Sequence, residues 1–301
     1  MSPTTKSHVS ALSFWLLILA VIAVGPAAVL IRLAHAPPIT VAAGRMLVAA
    51  VAISLIVLLR CGRDLVGIDH VALMRSLLAG LFLAVHFAVW ISSLSYTSVA
   101  NSVIIVTTQP IWAALLGMWF LREHVTPASF GAILLALVGV VLIAGGNPSS
   151  GGRFGDMLAL IGAIMAAAYL VVGRRVRRQV ATLGYVLIAY STAAVLLLIW
   201  GLTIKTPYAT LPTSSWLWIA AAGLGPSVIG HTLYNRALKD VSAHAVATTI
   251  LGGETLLATG LAALVLHEFP SRWAFVGAVP IALGVYWTFR LERASVIATH
   301  P

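Results

Sequence analysis

Charge is what this 301-residue sequence has least of: only 9% of its residues are Asp, Glu, Lys or Arg, against about 25% in a soluble domain. A water-facing surface cannot be made from such a composition. Acid is the scarcer sign, with eight Asp and Glu in all. The single cysteine, Cys61, cannot close an internal disulfide and builds no metal cluster. No G-x-x-x-x-G-K-[ST] loop is present, which argues against direct ATP hydrolysis. H-E-x-x-H, G-x-S-x-G and acidic metal motifs are missing too, so a membrane-embedded enzyme lacks its usual chemistry. No basic run is interleaved with aromatics in a soluble segment, so the formal charge of +10 is not read as a nucleic-acid signature. Basic loops facing anionic lipid account for it.

What is present is apolar: 60% of residues are hydrophobic and the mean hydropathy is +1.03. The runs are long enough to cross a bilayer as helix, which takes about 20 residues. A β-barrel would alternate apolar and polar residues and is excluded. The reading is an all-α polytopic membrane protein with spans near 11–33, 39–59, 70–93, 97–120, 128–146, 155–174, 181–202, 214–235, 242–266 and 271–290. Breaks such as HAPP (35–38), RCGRD (60–64), GGNPSSGG (145–152) and RRVRR (174–178) separate them. The first apolar run is too long for a signal-peptide core and is expected to be an uncleaved helix behind a short polar tail, residues 1–10.

Ten spans make the basic residues alternate. With the N-terminus inside, the cytoplasmic segments hold thirteen Lys and Arg, from Lys6 through the Arg174–Arg178 cluster to Arg293. The outer loops hold four: Arg32, Arg153, Lys205 and Arg272. Arg45 falls inside span two. The bias predicts both termini in the cytoplasm.

WFLREHVTPASFG (119–131) and LVLHEFPSRWAFVG (264–277) align at an offset of 145 residues, Glu123 against Glu268. The same offset pairs Gly80 with Gly225, His86 with His231, Phe130 with Phe275, Gly139-Val140 with Gly284-Val285, and Gln109 with Glu254. Histidine and glutamate are rare here, so their matches outweigh those of Leu and Ala. The unit holds five spans, an odd number, so the two copies are expected to cross the membrane in opposite senses, the inverted-repeat design of secondary transporters. The domains are then residues 11–146 and 155–290, an outer linker at 147–154, and cytoplasmic tails at 1–10 and 291–301.

SVANSVIIVTTQPIWAALLGMWFLREHVTPASFGAILLALVGVVL and SAHAVATTILGGETLLATGLAALVLHEFPSRWAFVGAVPIALGVYW resemble the two copies of the EamA-type module of the drug/metabolite transporter superfamily, ten-helix branch. Within it the chain looks most like bacterial amino-acid exporters of the aromatic amino-acid type. The resemblance implies a cavity lined by spans one to four and six to nine, with spans five and ten set aside. Thr255 follows Glu254 where many members have proline, which puts a proline-dependent break in span nine in doubt.

Polar residues at membrane depth face a cavity or another helix. Span three carries Phe82, His86 and Trp90 on one face. Span four carries Asn101, Thr108 and Trp112, with Gln109 beside them. Span eight carries Ser227, His231 and Asn235, and span nine His244, Thr248, Gly252 and Thr255. Trp15, Trp112, Tyr169 and Tyr234 complete the aromatic candidates. Ser, Thr and Gly at such places commonly pack helices together, whereas His86, Trp90 and His231 are read as cavity residues. Counted by depth, His86 lies in the outer part of its span and His231 in the inner part, on opposite sides of the midplane. Gln109 and Glu254 lie near the centre. Glu254 either bonds a neighbouring helix as a protonated acid, or exchanges a proton or receives a substrate ammonium. Arg45, near the outer end of span two, is expected to snorkel to the interface or pair two helices in preference to reading a substrate carboxylate. Glu123 and Glu268 are expected to bond helix ends, and Gly25-Pro26 to form a hinge in span one.

The function expected is export of amino acids or related small amphipathic metabolites by alternating access, with no cofactor or metal and one chain sufficient. The expected setting is the inner membrane of a bacterium, with the lipid bilayer and a small-molecule substrate as the partners. A multidrug or nucleoside-type exporter, a membrane-embedded enzyme and a channel are the alternatives.

Overall fold

The computed structural model describes residues 11–60, 62–122, 126–145, 152–208, 210–269 and 272–298. The N-terminal tail to Ser10, Cys61, Glu123 and linker residues 147–151 lie outside them, as does the side chain of His244. Thirteen α-helices follow in order: α1 (Ala11–Val24), α2 (Ala27–Leu33), α3 (Pro38–Leu59), α4 (His70–Ser93), α5 (Val99–Val106), α6 (Gln109–Leu116), α7 (Pro127–Gly145), α8 (Gly152–Arg177), α9 (Thr182–Thr203), α10 (Thr213–Ala222), α11 (Thr232–Ala237), α12 (Ala243–Val265) and α13 (Arg272–Ala298). Two stretches wind as π-helix, Gly117–Leu121 after α6 and Gly223–His231 between α10 and α11. No strand occurs among the described residues.

Local chemistry sets the boundaries. Pro38 opens α3 in the first turn, where its missing N–H costs no helical bond. Asp69 caps α4 by accepting from Ala72 N at 2.6 Å, and Ser98 caps α5 by accepting from Asn101 N at 3.1 Å. Gly25-Pro26 does part α1 from α2. The backbone bonds Gly25 N→Val21 O (2.8 Å) and Leu30 N→Pro26 O (3.0 Å) persist on either side, so the break is a bend and not a gap. Pro110 stands in the first turn of α6, where α5 and α6 part at Thr107-Thr108. In the second copy Thr255 occupies the corresponding place, and α12 runs unbroken past Glu254. A threonine keeps the N–H that proline lacks.

Seven helical stretches are long and apolar enough to cross a membrane: residues 15–33, 38–59, 70–93, 99–121, 152–177, 182–203 and 246–265. Shorter apolar helices run at Pro127–Gly139 and Phe275–Gly284. Their outward faces are greasy. On α3 the exposed side chains include Leu47, Val51, Leu55 and Leu58, and on α7 Phe130, Leu134, Val138 and Val141. Spacings of three and four place each set on one stripe of its helix, a surface suited to lipid and not to water.

The helix pairings respect the repeat. α3 packs on α9, α5 and α6 on α12, and α7 on α13, each pair joining equivalent helices of the two halves. α4 packs on α8, and its image under exchange of the halves is α1 on the 223–231 segment and α11. The α7–α13 contact carries the exchange to single residues. A Cβ built on Gly139 would meet Ile281 Cγ1 at 2.7 Å as well as the carbonyl of Gly277, and one on Gly284 would meet the carbonyl of Ala132 at 2.6 Å. Gly139 and Gly284 are repeat mates, and so are Ala132 and Gly277. With no side chain at either place, the two backbones close directly on each other.

Candidate functional site

Between the two halves lies a narrow cavity of about 30 Å³, room for about two waters. α1 and α2 supply Val24 and Ala27, α3 Arg45, α4 Leu83, His86 and Trp90, and the α5–α6 junction Val106 and Gln109. From the second half come Ala166, Tyr169 and Leu170 of α8, His231 and Tyr234 at the junction with α11, and Ile250 and Glu254 of α12. α7 and α13 stay off it. α9, a segment expected to line it, stands one layer back. There Tyr190 donates from its hydroxyl to Ser227 O at 3.2 Å.

Arg45 was misjudged by depth. It is wholly buried, so its head does not snorkel. Its Nε and Nη2 donate to Ser227 Oγ at 3.1 and 2.9 Å, and the guanidinium carbon lies 4.2 Å from the centre of the Phe87 ring. The Ser227 hydroxyl in turn donates to Ala222 O at 3.3 Å, five residues back, as π winding permits. The pairing of two helices was foreseen; the place in the cavity wall was not. Placing an arginine at the centre of a membrane helix costs about 2.5–3.5 kcal/mol, and the Phe87 face and the Ser227 oxygen offset part of it.

The histidines converge. His86 Nδ1 lies 2.9 Å from Gly162 O. A carbonyl only accepts, so Nδ1 carries the proton and Nε2 is the nitrogen left for the cavity. The ring stacks on Trp90 at 5.7 Å and 6°, and Phe87 is 4.8 Å from it. His231 meets the same Phe87 edge-on at 5.5 Å. The two imidazoles thus flank one phenyl ring.

Glu254 is buried and lines the cavity, and among the described residues no hydrogen bond or ion pair is found for it. Its neighbour Thr255 shares a hydrogen bond with Thr107 at 3.0 Å, fastening α12 to the break between α5 and α6. Gln109, the repeat mate of Glu254, faces the same cavity.

The remaining expected residues fall around this centre. Asn235 donates to the Tyr169 hydroxyl and to His231 O, bracing two lining residues from behind. Trp112 Nε1 donates to Thr108 Oγ1 at 3.3 Å. Thr108 and Thr248 border a separate small space against α7. Asn101 is buried on α5 outside the cavity wall, and Phe82 is half-buried against the core. Trp15, expected inward, is 59% exposed on the outer face of α1. A wider apolar crevice, about 450 Å³, runs between α5, α12 and α13, with Thr255 and Thr259 its few polar side chains and no charge on its walls.

At one end of the bundle Arg32 Nη2 lies 3.2 Å from Glu268 Oε1 and donates to Thr97 O at 3.3 Å. Glu268 Oε2 accepts from Val99 N at 3.2 Å, at the start of α5. The expectation that Glu268 bonds a helix end is met, though by a helix of the other half.

A family profile described as "EamA-like transporter family" matches residues 11–145 and again 153–290. "Uncharacterized transporter YyaM" of Bacillus subtilis (strain 168) is 25% identical over 207 residues, 66% of this chain and 67% of that protein. An "Uncharacterized transporter" of Archaeoglobus fulgidus is 30% identical over 79 residues, 26% of this chain and 28% of its own length. A solved crystal structure superposes on 94% of this chain and 98% of its own with a TM-score of 0.74 at 19% identity, a likeness of fold alone. With one family match on each half, together spanning nearly all of the sequence, the chain belongs to the EamA-like transporter family.

Proposed function

We propose that this transporter exports amino acids or related small amphipathic metabolites across the cytoplasmic membrane by alternating access. Ten spans form two inverted five-helix repeats with both termini in the cytoplasm. One observation carries this reading: the cavity lies between the repeats and holds an unbonded carboxyl, Glu254, among the aromatic walls Trp90, Tyr169 and Tyr234. A carboxyl without a protein partner is available to a substrate ammonium or a proton. Aromatic and aliphatic walls receive a side chain. Space for about two waters supports passage by movement of the halves over a standing pore. The exchange of helix pairings between the halves and the one-sided basic loops support the inverted arrangement.

The test is counterflow in proteoliposomes. Labelled leucine or phenylalanine outside should accumulate transiently and saturably when the unlabelled compound is loaded inside. Ohmic flux, or chemical conversion of the label, would sink the proposal.

A further inference from the structure

We infer that Arg45 is the anion-reading residue of the cavity and that the transported substrates carry a carboxylate, received end-on by its guanidinium. The inference rests on the cavity being the transport site.

A guanidinium has five N–H donors in one plane. In Arg45 the Nε–Nη2 side is committed, since both of those nitrogens donate to the Ser227 hydroxyl. Nη1 has no hydrogen-bond partner among the described residues. The Nη1–Nη2 end therefore keeps three N–H donors, the two on Nη1 and the second on Nη2. Two of them, one from each nitrogen, point in parallel, the geometry that matches the two oxygens of a carboxylate. The plane of the group is held by Ser227 on one side and the Phe87 ring beneath, so little side-chain entropy remains to be lost on binding.

The charge is answered only at a distance, by the field of Glu254. The nearest acid by position in the cavity is Glu254, and no ion pair within bonding distance joins it to Arg45 among the described residues. A purely structural arginine at this depth is expected to be fully paired, because each unmet donor in the membrane interior costs free energy. The N-terminus of α6, where Gln109 enters the cavity wall, adds a weaker positive field. The repeat sharpens the point. Arg45 aligns with Tyr190 at the 145-residue offset, as Gln109 aligns with Glu254. The first half supplies the cation and the second half the acid, so a cavity built by a symmetric fold has two chemically different ends. A molecule with a carboxylate at one end and an ammonium at the other fits that polarity in one orientation.

The test measures binding to the purified full chain in detergent by ligand-induced shift of its unfolding temperature. Two matched sets serve as probes: phenylalanine, 3-phenylpropanoate, phenylalaninamide and phenethylamine, and leucine with 4-methylpentanoate and isoamylamine. Carboxylate-bearing members of at least one set are expected to bind. Arg45→Met is expected to weaken them by about tenfold or more, with the amines unaffected. If Arg45→Met does not fold, Arg45→Lys decides, since it keeps the charge and loses the planar fork; a loss of several-fold on the carboxylates is expected. Unchanged carboxylate affinity in the lysine variant, equal binding of acid and amide, or binding of no carboxylate at all overturns the inference. Arginine-dependent binding of 3-phenylpropanoate without phenylalanine counterflow upholds Arg45 and removes the amino-acid reading. Counterflow of phenylalanine with unchanged affinity in Arg45→Lys does the reverse.

Discussion

The ion pair of Arg32 with Glu268 fastens helices of the two halves at one end of the bundle, and if that end is a gate its removal has a calculable effect. The cluster ties α2, the turn before α5, the start of α5 and the connection between α12 and α13. In the proposed arrangement this is the outer end. Both side chains are about one-third exposed, at 34% each, so the pair contributes about 0.5–1 kcal/mol. The bond from Val99 N to the Glu268 carboxylate at the start of α5 adds about 1 kcal/mol. Glu268→Ala removes both and should weaken the closed outer end by about 1.5–2 kcal/mol, about 10–30-fold in the ratio of closed to open. Cysteine labelling reads this directly. In a Cys61→Ser background, Ile250→Cys places a thiol in the cavity wall, and a membrane-impermeant maleimide is added to right-side-out vesicles. The Glu268→Ala variant should label about tenfold faster. Glu268→Gln should fall between, because an amide oxygen still accepts from Val99 N. Exchanging the charges, Arg32→Glu with Glu268→Arg, should restore part of the slow rate. Labelling within about twofold of the parent in Glu268→Ala, a difference of under 0.5 kcal/mol, would refute the latch.

Glu254→Gln should abolish substrate-driven flux in proteoliposomes or remove its change across about pH 5 to 8, where carboxyl and imidazole groups exchange protons; His86 and His231 share the cavity, so a response that persists unaltered returns Glu254 to a packing role. Ser227→Ala strips the acceptor from two N–H donors of Arg45 and should cost about 2–3 kcal/mol of stability, seen as a lower unfolding temperature; an unchanged one means Ser227 does not anchor the arginine. Gly139→Leu must push α7 from α13 and should destabilise by about 1–3 kcal/mol, whereas Gly131→Leu, on the same helix with open space beside it, should not; equal effects would mean helix propensity and not contact governs.

The break points of the fold were legible because they are written in single residues. Gly25-Pro26 and Pro38 of HAPP act through their own backbone, so their neighbours in space hardly matter; the caps Asp69 and Ser98 and the break at Pro110 act as locally but were not read from the sequence. The π-helical stretch 223–231 was not legible, because a stripe such as Ser227, His231 and Asn235 is drawn by assuming α-helical periodicity throughout. Its local signs were Pro226 and the glycines at 223, 225 and 230. The exposed face of Trp15 escaped for a related reason: with lipid outside and an apolar core inside, an aromatic side chain carries no mark of which way it faces.

For Arg45 the helix-pairing expectation is met and the snorkelling one is not; its signal was in plain view as the one basic residue that the count of inner and outer loops left inside a span. Depth along one helix says nothing about what the next helix offers, and only the placement of Ser227 and Phe87 turns a costly charge into a held one. The repeat then explains why the charge is single. A two-fold related pair of arginines, at 45 and 190, would bury a second charge close to the first and repel it, and a pair of glutamates at 109 and 254 would do likewise. Tyrosine at 190 and glutamine at 109 avoid both repulsions while keeping polar groups at the equivalent places. The two-fold helix pairing is thus kept, and in the proposed reading the chemistry that orients a substrate comes from breaking that symmetry at two side chains.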